Sequence, residues 1–100
     1  MIRHIVMFTL TATDEAQRAT DVEEIRRRLD ALVGVVAGLR SVTFNRDLGL
    51  IEAGHWDAVL VSEHDDNAAL EGYQAHPDHQ AAGAFIRSVT GERATVDYEV

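Results

Sequence analysis

Residues 2–10, Ile-Arg-His-Ile-Val-Met-Phe-Thr-Leu, constrain the fold more than any other stretch. At the two-residue period of a strand, His4, Val6, Phe8 and Leu10 share one face, while Ile5 and Met7 occupy the other. Apolar side chains on both faces mark an interior strand of a sheet covered on both sides. Residues 55–64 repeat the pattern, with Trp56, Ala58 and Leu60 on one face and Val59 and Val61 on the other. A chain built around two such strands must cover both faces of their sheet.

The remaining segments supply one cover. Val22, Ile25, Leu29, Leu32 and Val36 recur at three- and four-residue steps, which predicts an amphipathic helix capped by Thr13 and ending near Gly34 or Gly38. Leu39 to Leu48 alternates around Val42, Phe44 and Leu48 against Ser41, Thr43, Asn45 and Asp47, as in a strand nearer an edge. Residues 49–54 read as a loop. Asp65-Asp66-Asn67 offers caps for a second helix through Tyr73, interrupted at Pro77, where a fresh helix begins with Ala81, Ala82, Phe85 and Ile86 as its buried stripe. In the last strand Ala94, Val96, Tyr98 and Val100 alternate with Arg93, Thr95, Asp97 and Glu99. This order predicts a single α+β domain over residues 1–100, a ferredoxin-like βαββαβ antiparallel sheet with the first and third strands central.

Both helices of this topology pack on one side of the sheet. The expectation is that Ile5 and Met7 lie beneath them and that His4, Val6 and Phe8 face away, uncovered. An open apolar patch of roughly several hundred Å² is abnormal for a monomer. A second copy packed sheet to sheet closes a dimeric α/β barrel, with an interior lined by His4, Val6, Phe8 and Trp56 and able to hold a small, largely apolar molecule.

Composition narrows the partners. Cysteine is absent, which excludes disulfides and thiolate chemistry and fits a reducing cytoplasm. The formal net charge of −8 speaks against nucleic acid and anionic membrane surfaces, which need clustered cations. No apolar run approaches the roughly 20 residues that cross a bilayer, and Met1 leads into a strand rather than a signal segment.

His4-Ile5-Val6-Met7-Phe8, the segment from Leu70 to His79 with its Tyr-x-x-His-Pro-x-His pattern, and Val96-Asp97-Tyr98-Glu99-Val100 resemble the stress-responsive dimeric α/β-barrel (Dabb) family across essentially the whole chain. The resemblance implies a homodimeric barrel. Members of the olivetolic acid cyclase type use a histidine and a tyrosine at the positions of His79 and Tyr73 as an acid/base pair, and a first-strand histidine at the position of His4 lines their pocket. Two departures are visible: Ala58 stands where a third-strand histidine is common, and His64 where phenylalanine is usual.

On that resemblance His79 is a candidate general base, with Tyr73 donating to an enolate or orienting the substrate. The plainer account has His79 packing or capping beside Pro77 and Tyr73 as a core residue with its hydroxyl at the rim. His4 is a candidate pocket partner, or a buried histidine with one hydrogen bond. His55 and His64, at the ends of the third strand, are expected to face solvent. His76 and His79 are separated by the proline break and lack a third ligand, so no metal is expected. No phosphate loop, serine nucleophile motif or flavin fingerprint is present, and no cofactor is expected. Three readings stay open: a small-molecule-binding barrel with cofactor-independent cyclase, lyase or isomerase chemistry; a non-catalytic stress-associated structural or interaction protein; and a cofactor-free monooxygenase.

Overall fold

The computed structural model describes residues 1–51 and 54–100, so part of the loop expected over 49–54 lies outside the described residues. Four strands, β1 (Ile2–Leu10), β2 (Leu39–Arg46), β3 (Ala58–His64) and β4 (Thr90–Glu99), form one antiparallel sheet in the order β2-β3-β1-β4. Helices α1 (Glu15–Asp30), α2 (Asn67–Ala75) and α3 (Pro77–Val89) complete the ferredoxin-like fold, with β1 and β3 in the centre as expected.

Local chemistry sets the boundaries. Asp14, not Thr13, caps α1, its carboxylate accepting from the Ala16 N–H at 3.0 Å. α1 stops at Asp30, before the predicted end; turns then carry Leu32 and Val36 into the core, and Gly38 takes φ +78° where L side chains rarely sit. Asp66 caps α2 through the Ala69 N–H at 2.8 Å. Pro77 divides the second helical region as predicted, because it holds His76 in an extended conformation and starts α3 at its first turn. β2 ends before Leu48, which lies exposed beyond it, and β3 begins at Ala58 rather than 55.

The face assignment is reversed from the expectation. His4, Val6 and Phe8 are buried under the helices, where Val6, Phe8 and Leu10 join Val22, Ile25 and Leu29 in one core. Ile5 and Met7 point to the opposite side. The reason lies in β2, whose apolar residues fall on one face only. Pairing sets Phe44 beside Leu60 and Leu60 beside Val6, so the side that carries Val42 and Phe44 is the side that can be fully dried. The other side brings Thr43, Asn45 and Glu63 into the sheet beside Ile5, Met7, Val59 and Val61.

A second cover is still needed, over different residues. Ile5 sits in register between Val61 and Val96, with Val96 58% exposed and Tyr98 40% exposed. Among the described residues the three helices cover the opposite face, where His4, Val6 and Phe8 are buried.

Candidate functional site

Four aromatic side chains from four elements meet where the α2–α3 junction crosses β1 and β3. Tyr73, near the end of α2, packs on His79 of α3 with ring centroids 4.0 Å apart. His64 of β3 also lies against Tyr73 at 4.7 Å, and His4 of β1 stands 6.2 Å from His64 and 6.4 Å from Tyr73. The proline break turns α3 back so that residues six apart in sequence bring their rings into contact, tilted 47° to one another. Tyr73 and His79 therefore belong to one site, and His4 belongs with them.

His4 pairs in register with Asp97 of β4, and their side chains are hydrogen-bonded through Nδ1 and Oδ1. An ionised carboxylate only accepts, so the Nδ1–H of His4 is the donor in this bond. On β3, Ser62 Oγ and His64 Nε2 are 2.8 Å apart, both residues fully buried. His64 thus departs from the expected solvent position, since it is an even-numbered residue of β3 on the helix-covered face. His55 is exposed as expected and pairs with Glu92. His76 accepts from the Asp78 N–H at 3.0 Å and caps α3. Among the described residues no cluster of three metal-ligating side chains is formed.

Three buried polar atoms of this group have no partner: Tyr73 Oη, His79 Nδ1 and His64 Nδ1. Such atoms are uncommon in folded proteins and ask for an explanation. Burial pushes the Tyr73 hydroxyl up to about 12. Burial likewise holds His79 below its ordinary value, with Gln74's backbone opposing and the charges of His4 and Arg87 adding to the effect. His64 is lowered by burial first and by His4 second. At neutral pH the tyrosine therefore keeps its proton and His79 lacks one, a donor and an acceptor side by side.

A cavity of about 370 Å³ adjoins the group, between the sheet and α3. His4, Tyr73 and His79 border it; Val6, Phe8, Leu60 and Ile86 form its apolar depth; Gln74, Gln80, Arg87 and Arg93 stand at its rim. Trp56 is not part of it. That residue lines a separate, larger hollow of about 770 Å³ with Met7, Val59 and Leu48 on the opposite side of the sheet, its ring against His55 at 4.9 Å. Among the described residues the larger hollow holds no partnerless buried polar atom, and it lies on the open face of the sheet. Tyr73 and His79, two of the residues with partnerless atoms, border the smaller one.

The expected interior of His4, Val6, Phe8 and Trp56 is therefore split: three residues line the helix-side cavity and Trp56 lies across the sheet. Asp97 and His64 were missed in the sequence. The register of β4 against β1, which brings Asp97 opposite His4, is the signal that locates the first.

A model of the stress responsive A/B barrel domain (Dabb) matches residues 2–100. No curated protein matches the chain. Among solved structures, a dimeric ferredoxin-like protein of unknown function from Thermobifida fusca is 33% identical, with a TM-score of 0.82 over 99% of this chain and 90% of that one. A dimeric protein of unknown function and ferredoxin-like fold from Bacteroides fragilis is 26% identical, with a TM-score of 0.86 over 99% and 95% of the two chains. A hydroxynitrile lyase from Passiflora edulis shares the fold at 13% identity, with a TM-score of 0.81 over 99% and 92%. The chain belongs to the stress-responsive A/B barrel (Dabb) family.

Proposed function

We propose that this protein is a homodimer that binds a small, largely apolar carbonyl compound in each protomer's helix-side cavity and moves a proton on it without a cofactor. His79, kept neutral by burial, takes a proton from the carbon next to the carbonyl. Tyr73, kept protonated, donates to the oxygen on which charge develops. His4, oriented by Asp97, stands within the same group of rings. Cyclisation of an aldol type and isomerisation share this first step, whereas cleavage of a cyanohydrin starts with the same base taking the hydroxyl proton as the carbonyl forms and cyanide leaves. A hydroxynitrile lyase among proteins of the same fold is compatible with it.

The observation that supports this reading above the others is the pair of buried, partnerless atoms on two stacked rings beside a cavity. A purely structural tyrosine–histidine stack gains nothing by leaving both atoms unbonded, whereas a ligand oxygen completes them. The Tyr73 hydroxyl is sealed from solvent, so a ligand reaches it by displacing the long rim side chains of Gln74, Gln80 or Arg87. Catalytic hydrogen bonds commonly close only in the complex. Dimerisation follows from the open face around Ile5, Val61 and Val96 and is supported by relatives described as dimeric.

The test is turnover of linear polyketide and cyanohydrin substrates, followed by chromatography. With a substrate in hand, His79→Ala and Tyr73→Phe are each expected to cut turnover by about 10². Unchanged rates in both variants remove the pair from the mechanism.

A further inference from the structure

All nine cationic residues of this chain are arginines, set among seventeen carboxylates. Every arginine from Arg3 to Arg46, seven in all, has a carboxylate oxygen within 3.4 Å. Among the described residues Arg87 and Arg93 alone have none, and both stand at the rim of the same cavity.

The arrangement is built from two elements. Arg93 lies opposite Phe8 in the β1–β4 register, so its side chain leaves the sheet on the helix side. Asp97 shares that face but stands four residues along the strand, about 13 Å away, and is already bonded to His4. Arg87 sits in the last turn of α3 with its guanidinium across Gly83, where a Cβ would come within 3.2 Å of it. The missing side chain at Gly83 leaves Arg87 room beside the cavity wall. Deeper in, Val6, Phe8, Leu60 and Ile86 offer no polar group. The cavity thus has an apolar floor and a cationic mouth in a molecule whose overall charge repels anions.

We propose that Arg87 and Arg93 form the anion-binding pair of this cavity, and that its ligand is a small carboxylate with an apolar tail. The carboxylate lies between the two guanidiniums, whose planar donor forks match its geometry, and the tail runs inward toward Phe8 and Ile86. This assignment rests on reading the cavity as the ligand site, and it adds the ligand's charge and orientation.

Octanoate and octanamide, which share a tail and differ in charge, serve as probes. Their binding is followed by amide chemical-shift titration of the wild-type protein and of the Arg87→Gln/Arg93→Gln double variant, whose spectrum also reports that it is folded. Octanoate is expected to shift the amides around Tyr73 and His79 and to bind at least about tenfold more tightly than octanamide. In the double variant that ratio falls to about one while octanamide affinity stays unchanged. Equal binding of the two probes by the wild type, or a preference that survives in the double variant, overturns the arginine assignment and leaves the cavity as a ligand site. If neither probe shifts these amides, the assignment falls together with the reading of the cavity.

Discussion

Tyr73→Phe should make the protein more stable while disabling its site. Tyr73 is fully buried and its hydroxyl has no partner, so folding strips the group of water and returns nothing. A buried donor left unsatisfied costs about 1–3 kcal/mol. The ring itself remains in the variant, and with it the packing on His64 at 4.7 Å and His79 at 4.0 Å. A small void left by the oxygen offsets part of the gain, so the net effect is about 1 kcal/mol in favour of phenylalanine. For a domain of this size that raises Tm by about 4–8 °C. Urea denaturation at one fixed protein concentration measures it, since the proposed dimerisation would make apparent stability concentration-dependent. A loss of 1 kcal/mol or more would show that the hydroxyl is bonded within the folded protein, and the proton-donor role would lose its physical basis.

Val96→Glu places a charge on the open sheet face at a residue already 58% exposed in the protomer, so the fold tolerates it; sedimentation velocity should show a wild-type dimer and a monomeric variant. Burial lowers His64 and His79, so the unfolded chain takes up protons there first, and stability should fall as pH drops below about 6.5 through the lowered values. Thermal unfolding between about pH 7.5 and 5.5 checks this, and a flat profile contradicts it. Gly38→Ala should destabilise by about 1–3 kcal/mol, because Gly38 has φ +78° and a Cβ there would stand 2.5 Å from that of Ala69; an unchanged urea midpoint would refute the close contact.

The fold was legible because its signals are local and agree with one another. The heptad-like stripe from Val22, the aspartates before α2 and Pro77 each act through a neighbouring turn, and strand order followed from which strands are apolar on both sides. Which side the helices choose was not legible from β1 alone, since its two faces are nearly equal in greasiness. It is decided across three strands, where one-sided β2 forces Val42 and Phe44 inward and carries Leu60, Val6 and His4 with them. The meeting of Tyr73 and His79 was suggested by a short motif and made real by the proline turn. Asp97 and Arg93 were read as the wet face of the last strand. They are wet because β4 is an edge strand, and that same position puts Arg93 at the rim of the cavity and Asp97 against His4.

A crystal structure of the protein with octanoate bound tests the account most directly. It should show two protomers joined across the faces that carry Ile5 and Val96, and a ligand under α3 of each, tail toward Phe8 and carboxylate toward Arg87 and Arg93. A ligand lodged between the two sheets beside Trp56, with the helix-side cavity closed around Tyr73 and His79, would contradict it.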